Sequence, residues 1–181
     1  MEIGASGLVN TEMNRVAALI WPPGFPPTDP WKKFFYGVRW LGPDISFFKE
    51  LKQLQASRTR DVMTAWPDEK QRNVALVFGS IIRRHAGWKT PYFIPADKAV
   101  VIAYGPRLLE FEELPLEIAI PDFEDQIGGK FDNKFWEKVV DWNDKNATFG
   151  ELINKVVEKL NTFNSPSPET RWRWSDLLIR I

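Results

Sequence analysis

The sequence of 181 residues contains no cysteine and a single histidine, His85. Without cysteine the chain cannot form a disulfide, a thiolate metal site or a cysteine nucleophile. One histidine cannot supply the paired imidazoles of a typical zinc site, and no serine or carboxylate motif points to His85 as a catalytic base. His85 follows Arg83 and Arg84 at the end of a predicted helix, where a cation complements the helix dipole. We therefore expect it to have a structural or solvated role.

Net charge and long apolar runs are also absent. The formal charge is zero, so the molecule as a whole has no electrostatic attraction to nucleic acid or to an anionic membrane. The longest apolar runs, such as VAALIW and AVVIAY, are too short to cross a bilayer, and the N-terminal MEIGASGLVN lacks the basic start and apolar run of a signal peptide. These absences predict a cytoplasmic protein that neither binds nucleic acid nor inserts stably into a membrane.

Motifs for cofactors are missing as well. The glycines of IGGKF and FGELI match no phosphate-binding pattern. The acidic group DFED, residues 122–125, lacks the spaced loop of a calcium site. The sequence therefore predicts no cofactor and no metal, and it favours a non-catalytic protein. An enzyme built on scattered carboxylates is the alternative in a different class.

Charge is unevenly distributed along the chain. Residues 107–125 carry one base, Arg107, against seven acids, which are Glu110, Glu112, Glu113, Glu117, Asp122, Glu124 and Asp125. The preceding stretch leans basic, with Arg72, Arg83, Arg84, Lys89 and Lys98. One interpretation is a dipolar domain whose faces attract each other, and the other is an acidic docking face for a basic partner.

Two helices have clear sequence signals. Acids at the start of the segment 68–85, an apolar stripe and a terminal Arg83, Arg84 and Gly87 predict a helix from Asp68 to His85. Thr148 and Glu151 form a capping box ahead of residues at strict helical spacing, which are Phe149, Leu152, Ile153, Val156, Val157 and Leu160.

The remaining elements have weaker signals. Further helices are predicted from about Asn10, with Met13, Val16, Ala17 and Ile20 on one face, and from Asp44 or Ser46. Two more are predicted over 122–131 and over DNKFWEKVVDW, residues 132–142. The segment 99–120 is ambiguous, because AVVIAY is rich in β-branched residues and Leu114, Leu116, Ile118 and Ile120 alternate. The sequence predicts a mainly α protein, with a short β-hairpin near 99–120 as an open alternative.

The chain divides into three predicted regions. Residues 1–66 form an aromatic-rich helical extension, 67–162 a helical bundle, and 163–181 a linker with a short C-terminal helix. The many rings between Trp21 and Phe48 either bury themselves in a joint core with the bundle or form part of a binding interface. The sequence leaves the oligomeric state open.

The segments TPYFIPADK, DQIGGKF and TFGELI stand in an order that resembles the acyl carrier protein family. That family is a small bundle with a first helix, a long loop, an acidic second helix, a short third helix and a last helix. The resemblance covers about residues 68–160 and implies that 68–85 is the first helix and that the second ends near DQIGGKF. Pro115 and Pro121 depart from the family pattern, since they interrupt the stretch where the second helix should begin.

A carrier works through a phosphopantetheine arm on one serine, which lies in an Asp-Ser-Leu triplet at the start of the second helix. Counting back from Phe131 places that position near Glu117, and no serine occurs between Ser80 and Ser165. The resemblance therefore implies a carrier-like fold without a carrier's arm, and so without thioester transport.

Carriers bind their partner proteins through an acidic second helix, and the resemblance implies that this mode of recognition is kept here. It implies a non-catalytic protein-interaction module whose partner is another protein with a basic patch. The candidate partner-binding charges are Glu112, Glu113, Glu117, Asp122 and Glu124, and the candidate anchors are Phe123 and Trp136. The alternative is a bacterial immunity protein that neutralises a toxin, since such proteins are small and need no catalytic residues.

Overall fold

The computed structural model describes residues 16–21, 23, 31, 46–104, 115–127, 129–139, 144 and 146–163. Within these residues the protein is mainly helical, with six α-helices and one 3₁₀-helix (60–65) between the first two. The α-helices are α1 (Ser46–Ala56), α2 (Glu69–Ala86), α3 (Ala99–Tyr104), α4 (Pro115–Ile127), α5 (Asn133–Val139) and α6 (Phe149–Phe163). The described ranges contain no β-strand, and a single antiparallel bridge joins Lys98 to Thr148.

Helix α2 begins and ends where its sequence signals predict. The Asp68 side chain accepts a hydrogen bond from the Gln71 backbone N–H, which satisfies one of the free donors of the first turn. Gly87 ends the helix in the left-handed region at φ 75°, a conformation that a residue with a Cβ adopts at a cost. The predicted helix over 68–85 is thus confirmed.

Helix α6 has the predicted capping box. The Glu151 backbone N–H donates to Thr148 Oγ1 at 3.2 Å, and the Thr148 N–H donates to Glu151 Oε2 at 2.7 Å. All six residues of the predicted apolar stripe are buried, which are Phe149, Leu152, Ile153, Val156, Val157 and Leu160.

The core lies around α2, which contacts α3, α4 and α6 and packs most extensively against α4. Phe78 of α2 is 1% exposed, and its ring lies 4.7 Å from that of Phe123, 6.2 Å from that of Phe149 and 6.3 Å from that of Trp136. Aromatic contacts of this kind add to the free energy gained by burying the rings. One hydrophobic core therefore joins α2 to α4, α5 and α6, and it also includes Leu51 of α1.

The strands considered for 99–120 are not present in the described part of that segment. Residues 99–104 are helix α3, and residues 115–120 are the first half of helix α4. The β-branched run of α3 is helical because residues 99–103 are all buried, so that tertiary packing outweighs local preference. Helix α4 begins at Pro115, where the missing N–H costs nothing, and continues through Pro121. The turn of the considered hairpin lies outside the described residues.

The first predicted helix is wrong over residues 16–20, which have no helical structure. Leu19 of this segment is fully buried, its N–H donates to Asp97 Oδ1 at 2.8 Å, and its carbonyl accepts from the Lys98 N–H at 3.0 Å. Because the backbone groups of Leu19 bond to a distant loop, they do not take part in helix bonds. Residues 10–15 of that prediction lie outside the described residues.

Candidate interaction surface

Helix α4 carries most of the candidate site residues, and its inner face fixes it on the core. Ala119, Phe123 and Ile127 recur at every fourth position and are buried. Phe123 has no exposed surface at all, and its ring packs edge-on against Phe78. The expectation that Phe123 is a surface anchor is therefore wrong, because the helix places it on the core side.

Glu124 is used inside the protein. Its Oε1 accepts a hydrogen bond from Trp136 Nε1 at 2.8 Å and another from the Phe131 backbone N–H at 3.1 Å. These two bonds join α4 to α5 and to the connection between them. Trp136, the second candidate anchor, is only 8% exposed, so it too belongs to the core and not to a surface.

Asp122 contacts the end of α2. Its Oδ2 lies 2.8 Å from His85 Nε2 and 4.0 Å from an Arg84 guanidinium nitrogen. The side chains of His85 and Asp122 are 25% and 42% exposed, so water screens this contact. His85 thus has a structural contact, in which it joins α2 to α4 through Asp122. No local sequence pattern connects these two residues, which are 37 positions apart.

The structure describes the other acids of the stretch 107–125 to different extents. Asp125 is exposed in the last turn of α4, two residues before the end of the helix. Glu117 belongs to α4, but its side chain lies outside the described part, and Glu112 and Glu113 lie outside the described residues. We call the set Asp122, Glu124 and Asp125 the α4 edge. It holds one exposed carboxylate, one shared with His85 and one bound internally.

A second group of polar residues, buried around Asp97 just before the start of α3, was not predicted from the sequence. Arg58 and Asp97 form an ion pair with two contacts, Nη1 to Oδ2 at 2.6 Å and Nη2 to Oδ1 at 2.8 Å, and their side chains are 1% and 0% exposed. The Asp97 carboxylate also accepts from the backbone N–H groups of Leu19 and Ile94, each at 2.8 Å. Arg58 Nη2 donates to the Ala17 carbonyl at 2.8 Å.

We call this group the Asp97 cluster: Asp97, Arg58 and the bonded backbone of Ala17, Leu19 and Ile94. It joins three segments that are far apart in the sequence. Four N–H groups surround the carboxylate, so its oxygens are occupied by internal donors. This arrangement suits a structural tie between the segment 17–19 and the bundle, and not a general base that must accept a proton from a substrate.

Gln55 of α1 makes a similar buried tie to the loop after α2. Its Nε2 donates to the Thr90 carbonyl at 2.5 Å, and its Oε1 accepts from the N–H groups of Lys89 and Thr90. Gln55 is fully buried, so these bonds satisfy polar atoms that water cannot reach. Helix α1 is therefore fixed on the bundle by specific hydrogen bonds as well as by the burial of Leu51.

The described part of the chain contains neither a candidate metal group nor a candidate membrane span. No three His, Asp or Glu side chains there are placed to hold a metal ion. None of the helices there combines the length and the apolarity that crossing a bilayer requires. Comparison with protein-family models, with curated proteins and with solved structures found no match for this chain.

Proposed function

We propose that this chain is a non-catalytic protein-interaction module with a carrier-like arrangement of helices, and that the exposed side of α4 is its binding surface. The observation that carries the proposal is how firmly α4 is held. Its inner face is in the core, Glu124 ties it to Trp136, and Asp122 ties it to His85. A helix held in this way presents Asp125 without a cost for ordering the surface on binding.

The charge of this surface favours a basic partner. Asp125 is exposed and Asp122 is partly exposed, and both belong to the acidic stretch 107–125. The cations of Arg84 and Arg83 are exposed at the adjacent end of α2, so the negative potential is strongest away from His85, around Asp125. Glu124, because it is bound internally, contributes to holding the surface and not to contacting the partner.

The residues at the start of α3 support the proposal that this chain carries no phosphopantetheine arm. In carriers the modified serine follows an aspartate and opens the helix after the long loop. Here the long loop after α2 leads to α3, and the residues at that junction are Asp97, Lys98 and Ala99. Lys98 has no hydroxyl for a phosphodiester, and its ammonium donates to the Asn146 carbonyl at 2.8 Å. Whether the counterpart of the carrier's second helix is α3 or α4, its start lacks serine.

The absence of an arm is tested by mass. The protein is incubated with a phosphopantetheinyl transferase and coenzyme A, with an authentic acyl carrier protein as the positive control. We expect the intact mass of this chain to remain unchanged while the control gains one arm. A gain of one arm by this chain would refute the proposal that it transports no thioester.

The binding surface is tested by cross-linking and capture. The wild-type chain and the double variant Glu117→Lys/Asp125→Lys are used as baits, with Glu50→Lys/Glu137→Lys as a control that makes the same change in net charge at exposed residues of α1 and α5. We expect the first double variant, but not the control, to lose the partner captured by the wild type. The identity of that partner separates the two kinds of module, since a toxin indicates an immunity protein and an acyl-transfer enzyme a degenerate carrier.

A further inference from the structure

Residues 17–19 form a short non-helical segment whose main chain is bonded to the bundle. The Ala17 carbonyl accepts a hydrogen bond from Arg58 Nη2 at 2.8 Å. Two residues later, the Leu19 N–H donates to Asp97 Oδ1 at 2.8 Å. The Leu19 carbonyl accepts from the Lys98 backbone N–H at 3.0 Å. Three main-chain groups of the segment are therefore bonded to residues that lie far away in the sequence.

The side chains of this region contribute much less to the contact. Among residues 16–20 only Leu19 is fully buried, whereas Val16 is 37% and Ile20 is 52% exposed. Main-chain groups are common to all peptides, so bonds to them give affinity without dependence on sequence, and a pocket for one side chain gives selectivity. The segment is thus held in the way that a peptide ligand is held, by its main chain and one leucine.

The groups that bind the segment are fixed by the bundle itself. Asp97 Oδ2 accepts from the Ile94 N–H at 2.8 Å and from Arg58 Nη1 at 2.6 Å. The Asp97 main-chain carbonyl accepts from the Phe149 N–H at 2.7 Å, at the start of α6. Because none of these bonds involves the segment, they do not depend on its presence. A site that is formed in advance binds its ligand without a cost for ordering its own groups.

The buried ion pair supplies this site with one donor and one acceptor. A buried pair loses much of its Coulomb energy to desolvation, so its presence in a core is weak evidence for a role in stability alone. Here Arg58 Nη2 and Asp97 Oδ1 lie 2.8 Å apart, and each also bonds the segment. One atom reads a carbonyl and the other reads the N–H two residues later. The pair is therefore arranged to recognise the main chain of a peptide.

We propose that the Asp97 cluster is a peptide-binding site, and that it takes a segment of a partner protein with leucine at the position of Leu19. Residues 17–19 occupy this site as an intramolecular ligand with which the partner segment competes. Residues 22–45 connect the segment to α1 and can span up to about 80 Å when fully stretched, so the segment can leave the site while it stays attached. The site is separate from the α4 edge, and the inference does not rest on the proposed function.

The test uses the full-length variant Leu19→Asp, labelled with ¹⁵N, in which the internal ligand is weakened. The probe is a synthetic peptide with the sequence of residues 14–23, NRVAALIWPP. We expect the peptide to shift the amide signals of Ile94 and Lys98, whose N–H groups belong to the site. The wild type should bind the peptide at least about tenfold more weakly, because its own segment competes at the high effective concentration of a linked ligand.

Two methylated peptides separate main-chain recognition from general apolar binding. One is N-methylated at the position of Leu19, which removes the donor to Asp97 and keeps the leucine side chain. The other is N-methylated at the position of Ile20, whose N–H takes no part in the three bonds. We expect the first peptide to bind at least about tenfold more weakly than the unmodified one, because a buried carboxylate oxygen loses its donor. The second should bind nearly as tightly as the unmodified peptide.

A second measurement keeps the proposal testable if Leu19→Asp does not fold. A protease site is inserted between Pro23 and Trp31 of the otherwise wild-type chain, and the cleaved protein is incubated with fluorescently labelled peptide. We expect the unmodified peptide to replace the N-terminal fragment, and the peptide methylated at the position of Leu19 to fail to do so. The proposal is overturned if the unmodified peptide enters the site of neither protein, or if the two methylated peptides bind equally well.

Discussion

The Asp97 cluster and the α4 edge both join distant parts of the chain through carboxylates, but they differ in their exposure to water. Asp97 and Arg58 have almost no exposed side-chain surface, whereas Asp122 and its partner His85 are partly exposed. Breaking a buried ion pair leaves one charge without compensation in a medium that solvates it poorly, whereas an exposed pair is replaced by water. The Asp97 cluster therefore contributes more to stability, whereas the α4 edge includes one exposed carboxylate, Asp125, that the proposed function assigns to recognition.

The largest expected effect comes from breaking the Asp97 cluster. Asp97→Ala leaves the buried Arg58 guanidinium without a carboxylate and the N–H groups of Leu19 and Ile94 without acceptors. We expect the free energy of unfolding, measured by urea denaturation, to fall by about 3–5 kcal/mol. Asp125→Ala, at an exposed carboxylate of the α4 edge, should change it by less than about 0.5 kcal/mol. A similar small change for both variants would show that burial does not separate the two regions.

A glycine pair tests the loop that carries Asp97. A Cβ on Gly79 of α2 would lie 2.3 Å from the Pro91 carbonyl oxygen, whereas a Cβ on Gly129, next to α4, would meet nothing within 4 Å. Gly79→Ala must therefore push the loop 87–98 away from α2, and we expect a loss of about 1–3 kcal/mol. Gly129→Ala is the control and should leave the thermal midpoint nearly unchanged. Equal midpoints for the two variants would argue against this close packing.

Within the α4 edge, the two bound carboxylates should differ. Glu124→Ala leaves the buried Trp136 N–H without its acceptor and should cost about 1–3 kcal/mol in unfolding free energy. Asp122→Ala removes only the partly exposed contact with His85 and should cost about 0–1 kcal/mol. Trp136→Phe keeps a ring but removes the N–H donor, so its loss of unfolding free energy should be closer to that of Glu124→Ala than to that of Asp122→Ala. The reverse order of the two carboxylates would contradict the roles assigned to them.

The smallest expected effect concerns pH. Burial lowers the pKa of the Lys70 ammonium below its ordinary value, and the charge of Asp68 partly opposes this shift. The folded state thus holds its proton less tightly than the unfolded chain does. As the pH rises from the lowered pKa to the ordinary lysine value, the unfolded state binds more protons, and stability increases in that window.

Lys70→Gln removes the titration and can still donate a hydrogen bond to Asn161, a hydrogen-bond partner of Lys70. We expect the wild type to gain stability relative to Lys70→Gln as the pH rises through this alkaline window, in denaturation curves recorded at several pH values. Lys52→Gln, which removes an exposed lysine of α1, controls for the loss of one charge. A difference between wild type and Lys70→Gln that is independent of pH would contradict the shifted pKa.

Local signals predicted α2 and α6 because the residues that decide them are close in sequence. The Asp68 cap, Gly87 and the Thr148–Glu151 box act within one turn, and the apolar stripes match a single buried face. The segment 99–120, which contains α3 and the first half of α4, was ambiguous for two reasons. The residues of α3 are helical because the core surrounds them. In α4, the alternation of apolar residues over 114–120 obscured the helical spacing of Ala119, Phe123 and Ile127, which recur every four residues.

The polar ties could not be predicted, since they join residues far apart in the chain. Arg58 and Asp97 are 39 positions apart, and His85 and Asp122 are 37 apart. No local pattern connects such pairs. The two candidate anchors differ in this respect. The four-residue spacing of Phe123 and Ile127 is a local signal for the core, whereas the burial of Trp136 depends on Glu124 and Phe123, which belong to another helix.

The proposed function holds that the exposed side of α4 recognises a basic partner through charge. It is tested most directly by the association rate of the captured partner with the wild type, with Glu117→Lys/Asp125→Lys and with the control Glu50→Lys/Glu137→Lys, each at low and high salt. Exposed charges change association rate and salt dependence more than affinity. We expect the α4 double variant, folded as judged by an unchanged circular dichroism spectrum, to associate more slowly at low salt and to lose the salt dependence that the wild type and the control show. An unchanged rate across the salt range for the α4 double variant would contradict the claim and leave this side of α4 as solvated surface.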